Sequence, residues 1–219
     1  MKRLLIVAMA ALLAAACTET KKAEPVYPVG DRAFFEVAGN VESIDFTQET
    51  GGELMFLYDK PTFTKEGLFF VKDIKYKETK EGDKTILELD TDDEDGGGEE
   101  YIKCDYDSKG RLICLTGWEV GTSEIIYDDQ NRIVSYSFYG LMGMESEYKY
   151  TFTYDKGINP TSVTIEEIHV DYENGEQKKQ TATHIHKFEY TVVDEQGNWL
   201  ERKTDSGEVE KRTIKYYAE

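Results

Sequence analysis

Tyr106-Asp107-Ser108-Lys109-Gly110-Arg111-Leu112 and Tyr127-Asp128-Asp129-Gln130-Asn131-Arg132-Ile133 are two versions of one local pattern. In each, an Asp opens a turn, where its carboxylate can accept backbone N–H bonds. Gly or Asn follows three residues later, where a positive φ closes a short hairpin. The flanking Tyr and Leu or Ile then fall on one face as a cross-strand pair. Degraded copies stand at Tyr154-Asp155-Lys156-Gly157 and at Val193-Asp194-Glu195-Gln196-Gly197-Asn198-Trp199.

Outward from these turns the hydrophobic period is two rather than 3.6. Tyr148, Tyr150, Phe152 and Tyr154 share one face of a strand and Glu147, Lys149, Thr151 and Thr153 the other; Phe188, Tyr190 and Val192 repeat the alternation. Thr85, Leu87 and Leu89 alternate less cleanly with Ile86 and Glu88. Such runs, bounded by Gly, Asn and Asp, are antiparallel strands with one buried face. Further hairpins are expected at Glu81-Gly82-Asp83, Asn174-Gly175 and Ser206-Gly207. The expected fold is all-β: about a dozen strands in a meander, making one strongly twisted open sheet or a partly closed barrel. Asp90 to Glu100 interrupts the pattern, so a separate small sheet before Asp90 is also an expectation.

The repeated turns resemble those of the YD-repeat (Rhs-like) hairpin family, in particular the short YD-repeat lipoproteins of Bacteroidetes. The resemblance covers roughly residues 101–217 and rests on Tyr106, Asp107 and Gly110, on Tyr127, Asp128 and Asn131, on Tyr154 and Asp155, and on Asp194 and Gly197. The turn aspartates are 21, 27 and 39 residues apart, so a regular solenoid is not implied. YD repeats in large toxins build curved β shells around cargo. This chain is too short to enclose anything, so the resemblance implies a fold more than a role.

The first residues address the chain's destination. Lys2 and Arg3 precede an uncharged apolar run, Leu4 to Ala16, that ends in three alanines against Cys17. That is the layout of a secretory signal. Its 13 residues fall short of the ~20 needed to span a bilayer as a helix. Leu13-Ala14-Ala15-Ala16-Cys17 resembles a bacterial lipobox, which implies a lipid on Cys17 as the first mature residue. More than one acyl chain makes such attachment stable. Thr18 stands where inner-membrane retention signals place Asp, so the resemblance implies the outer membrane, facing either the periplasm or the surface. The expected organisation is residues 1–16 as signal peptide, 17–31 as lipidated cysteine and flexible tether, and 32–219 as the hairpin domain. Removing the two leader cations from a net charge of −18 leaves −20. So acidic a surface argues against nucleic acid as a partner, while the membrane is reached through the lipid.

Few constellations point to chemistry. Asp90 to Glu100 is acidic and glycine-rich, yet an EF-hand register centred on Gly96 puts Thr91 and Ile102 where carboxylates are required. If Asn174-Gly175 is a two-residue turn, paired residues sum to 349: His184 opposes Ile165, His186 opposes Val163, and Glu167 opposes Ala182, diagonal to His184. His184, His186 and Glu167 are then a candidate metal trio on one strand face, with half-buried structural histidines the alternative. A three-residue loop at Ser108-Lys109-Gly110 sets Cys104 opposite Cys114. A disulfide between them is expected if that pair is of the non-hydrogen-bonded type, with two buried thiols as the alternative. Trp118, Tyr136, Phe138 and Tyr139 are candidates for stacking on sugars, or for core. The expected function is a non-enzymatic envelope lipoprotein binding a protein or glycan, with no cofactor beyond the lipid on Cys17. The alternatives are a periplasmic lipid or lipoprotein carrier and a metal-dependent enzyme using His184 and His186.

Overall fold

The computed structural model describes residues 28–46, 60–69, 76–89, 103–117, 120–140, 146–173 and 176–218. Cys17, the acidic run Asp90–Glu100, Trp118 and the Asn174-Gly175 turn lie outside the described residues.

Among the described residues a short 3-10 helix, Gly30–Phe35, precedes twelve strands. These are β1 (Val41–Phe46), β2 (Tyr76–Glu81), β3 (Lys84–Leu89), β4 (Lys103–Tyr106), β5 (Leu112–Thr116), β6 (Val120–Tyr127), β7 (Ile133–Gly140), β8 (Ser146–Thr153), β9 (Ser162–Glu173), β10 (Glu176–Val193), β11 (Trp199–Thr204) and β12 (Val209–Tyr216). They form one antiparallel sheet in the order β1-β12-β11-β10-β9-β8-β7-β6-β5-β4-β3-β2. The sheet is an open meander, not a barrel, with β1 and β2 as its edges. Among the described residues there is no separate small sheet before Asp90. Leu87 of β3 pairs directly with Cys104 of β4, so the acidic run joins two neighbouring strands of the same sheet.

One face of the sheet carries the core. Leu87, Cys104, Tyr106, Leu112, Leu115, Ile125, Ile133, Tyr136, Phe138, Tyr150 and Val163 pack together there, with Phe152, Ile165 and Phe188 against them. The alternation through Tyr148, Tyr150 and Phe152 is thus the inner face, as the pattern required. The register slips between Tyr190 and Val192, and that slip turns Val192 outward to 45% exposure.

The expected tether ends earlier than Asp31. Asp31 is fully buried, accepting the Phe69 N–H at 2.8 Å and the Tyr106 hydroxyl at 3.3 Å. Phe34 lies against Tyr136 of β7, ring centroids 5.8 Å apart. Glu36, in the left-handed region at φ 51°, accepts bonds from Trp199 Nε1 at 2.8 Å and Arg202 Nη1 at 2.6 Å, both on β11. Arg212 of β12 donates to the carbonyls of Phe35, Glu36 and Trp199. Ala38 exchanges two bonds with the Asn198 side chain, at 2.7 and 3.0 Å.

These contacts fix the shape of the sheet. A six-residue 3-10 helix advances about 12 Å at ~2.0 Å per residue. The strands it touches, β4 to β12, are eight steps apart, which on a flat sheet is about 38 Å at ~4.8 Å per step. Side chains bridge only part of that difference, so the sheet curls around the Asp31–Ala38 segment as around a plug.

Replacing Glu36 with Gln keeps its volume but removes the charge opposite Arg202. Removal of one partner of a buried pair costs about 3–5 kcal/mol, and Glu36→Gln should fall at the low end because Glu210 also bonds Arg202. Lys215→Gln, at the exposed pair with Glu42, should stay within about 0.5 kcal/mol of the parent. Urea unfolding followed by tryptophan fluorescence separates the two outcomes.

Candidate binding groove at the β2–β4 edge

The Tyr-Asp turns have the bonds their sequence calls for. Asp107 Oδ1 accepts the N–H groups of Lys109 and Arg111, each at 2.9 Å, and Gly110 stands at φ 71°. Asp128 repeats this with Gln130 and Arg132 at 2.9 and 3.0 Å, and Asn131 at φ 60°. Asp194 repeats it with Gln196 and Asn198, both at 2.9 Å, and Gly197 at φ 86°. Two more turns of this shape carry Thr in the Asp position. The Thr64 hydroxyl accepts the Leu68 N–H and the Thr204 hydroxyl the Glu208 N–H, each at 3.2 Å, before Gly67 and Gly207. The turn at Ser206-Gly207 is among those expected and the one at Gly67 is not; a Thr-x-x-Gly spacing is the signal that marks both. Asp155 departs from the pattern: its connection is longer and closes through the Thr161 N–H on the Thr153 carbonyl at 2.7 Å.

Each complete repeat reaches the next. Arg111 Nε donates to Asp107 Oδ2 at 2.7 Å, which holds its guanidinium 4.8 Å from the Tyr127 ring centroid. Arg132 does the same with Asp128, at 2.6 Å, over Tyr154, at 4.3 Å. The two tyrosine hydroxyls then donate to the Leu112 and Ile133 carbonyls, both at 2.8 Å. Burial pushes both phenols well above their usual range. For Asp107, burial acts upward, but the bonds from Arg111 and the turn amides outweigh it and hold the carboxyl below 3.8.

The first of these turns is one wall of the groove. β2 and β3 meet at a two-residue loop, Gly82-Asp83, with Gly82 at φ 64°, the position where glycine suits a type II′ hairpin. The hairpin leans over β4 and the Asp107 turn to leave a cavity of about 480 Å³. Leu68, Leu87 and Tyr106 line it with apolar surface, and Tyr76 stands at its lip, 42% exposed. Glu78, Lys80 and Asp83 add polar groups. The volume lies within the ~300–1,000 Å³ of small-ligand sites. An exposed phenol ring beside carboxylate and ammonium groups suits a ligand with an apolar face and hydroxyl edges.

The other candidates sit elsewhere. The β9–β10 register matches a pair sum of 349: His184 opposes Ile165, His186 opposes Val163, and Glu167 opposes Ala182. The trio nevertheless does not converge. Glu167 Oε1 is engaged by His169 Nε2 at 2.8 Å, two residues along the same strand face, and by the Tyr148 hydroxyl at 3.0 Å. His186 instead points toward Asp205, 3.9 Å away. The cysteine pairing is also corrected. A bulge sets in between Asp105 and Tyr106, so Cys104 opposes Leu115 and Cys114 opposes Asp105. The two thiols therefore project from opposite faces of the sheet, and both are free. Burial, then the nearby Asp31, pushes the Cys104 thiol up, which keeps it protonated. Tyr136 and Phe138 are core, and Tyr139 packs over Gly121. No protein-family model matches the chain, and no curated protein matches it.

Because the Asp107 carboxyl is held low, its contribution is complete above 3.8 and is lost as pH falls through its folded value. Asp107→Asn should cost roughly 1.5 kcal/mol at pH 7, the low end for bonds to a charged group, since water reaches this pair. The gap between parent and variant should narrow as pH falls below 3.8, as chemical unfolding curves at pH 7 and across the acid range will show.

Proposed function

We propose that this chain is a cell-envelope lipoprotein of YD-repeat type, held in the bacterial outer membrane by lipid on Cys17, and that its sheet is a non-enzymatic binding module for a glycan. The observation that carries the reading is the groove between the β2–β3 hairpin and the Asp107 turn, with Tyr76 exposed at its lip. A sugar ring stacks its C–H face on the phenol, while Glu78, Lys80 and Asp83 take the hydroxyls. The groups that resemble reactive ones have structural duties: Asp107, Asp128 and Asp194 close turns, and Cys104 is a buried thiol. The basic, apolar and small-residue segments before Cys17 support the anchor.

Two measurements test the proposal. Cys17→Ser should abolish incorporation of labelled palmitate and release the protein from the membrane fraction. The full chain in detergent, applied to an oligosaccharide array and titrated with the best-retained sugar, should bind about tenfold more weakly as Tyr76→Ala, the loss of roughly 1.4 kcal/mol of stacking. Retention of no saccharide, or a Tyr76→Ala variant that binds like the parent, overturns the glycan reading and leaves a protein ligand.

A further inference from the structure

We infer that β2 is an assembly edge: two copies of this chain pair β2 with β2, antiparallel, about a two-fold axis through Thr79. The inference is argued from the strand itself, and its disulfide-trapping readout does not depend on what the groove binds, although Glu78 and Lys80 also line the groove.

Among the described residues β2 pairs with β3 alone, and all six of its side chains are exposed. The two-residue loop makes Glu81 and Lys84 a hydrogen-bonded pair, and alternation makes Thr79–Ile86 and Lys77–Glu88 hydrogen-bonded as well. The N–H and C=O groups of Tyr76, Glu78 and Lys80 therefore point away from β3, free for another strand. Charged side chains normally blunt such an edge, and like charges would repel a second copy. Here Lys77, Glu78, Lys80 and Glu81 sum to zero in a chain of net charge −18.

Their order is self-complementary. Residues equidistant from Thr79 are opposite in sign: Glu78 with Lys80, and Lys77 with Glu81. A two-fold axis there sets Glu78 against Lys80 of the second copy, twice, on the groove face. It sets Lys77 against Glu81 twice on the other face. Opposite charges directly across a strand pair are favourable and like charges are not. The backbone phase agrees, because Glu78 and Lys80 carry the outward groups and would exchange both hydrogen bonds, with Thr79 in a non-hydrogen-bonded pair with itself. Neighbouring registers fail. A slip of one residue sets Lys77 opposite Lys80 or Glu78 opposite Glu81, and a slip of two sets Glu78 or Lys80 opposite itself. Within the strand, Glu78 and Lys80 are 3.9 Å apart, so the same ions rearrange from an intrastrand to an interstrand pair. The edge is short and the pairing correspondingly weak in solution, so confinement of copies on one surface would favour it by raising their effective concentration.

The test is disulfide trapping in the full chain, in membranes. A non-hydrogen-bonded pair brings its Cα atoms to ~4.5 Å, inside the range of ~4.4–6.8 Å a disulfide spans. Under mild oxidation Thr79→Cys should give a reducible dimer linked through the introduced thiols, and Ser206→Cys, on an exposed turn, should not. Adding Lys80→Glu should cut trapping at least fivefold, and the swap Glu78→Lys with Lys80→Glu should restore it. These exposed positions leave folding intact, which tryptophan fluorescence will verify. A monomeric Thr79→Cys protein, equal trapping at Ser206→Cys, or a swap that fails to rescue overturns the inference.

Discussion

The charges buried between the Asp31–Ala38 segment and the sheet are the constraint on which the rest of the structure depends. Arg202 and Arg212 both lie over the Trp199 ring, 4.3 and 3.7 Å from its centroid, and the indole itself is fully buried. Removing a guanidinium from water is costly unless its donors are met. Glu36 and Glu210 meet those of Arg202, and burial notwithstanding they raise its affinity for the proton. Arg212 relies on three backbone carbonyls, and burial brings it down to about 9. Two of those carbonyls belong to Phe35 and Glu36. The plug is therefore an obligatory partner of the C-terminal strands.

That requirement explains why the first strand closes the end of the meander formed by the last ones. Residues 31–38 bind β4, β7, β11 and β12, and the chain then enters β1, which adds to β12, with Ile44 opposite Ile214. Phe35, Val37, Val41, Ile44 and Phe63 form a second apolar cluster behind this turn of the chain. Curvature is supported from the turns too. Asp107 and Asp128 each fix an Arg that stacks on the tyrosine of the following repeat, so these neighbouring hairpins are coupled at their ends as well as along their ladders.

Legibility in the sequence followed the range of the interaction. The all-β meander, the Asp turns at 107, 128 and 194 and the β9–β10 register were readable because period-two alternation and turn chemistry act over a few residues. The Cys104–Cys114 pairing was misjudged because one bulge residue inverts every face beyond it. Asp31, Glu36 and Trp199 were missed for a different reason. Their partners lie as far as 166 residues away in the chain, and a plug that buries charge shows no apolar periodicity. The groove was invisible likewise, since β2 reads as a polar strand and gains a wall only when β4 and the Asp107 turn come beside it.

The sheet manages its two edges in opposite ways, and this places its exposed features together. Along β1 the outer edge is covered: Ile44 N–H donates to the Pro61 carbonyl and Phe63 N–H to that of Glu42, at 3.0 and 2.8 Å. A proline in the covering segment presents one fewer free amide to any further strand. Along β2, within the described residues, the outward amides and carbonyls of Tyr76, Glu78 and Lys80 meet no strand, and those same residues line the groove. A chain that buries Arg202 and Arg212 to secure one end of its sheet leaves β2, at the other end, polar, charge-neutral and, among the described residues, unpaired on its outer side.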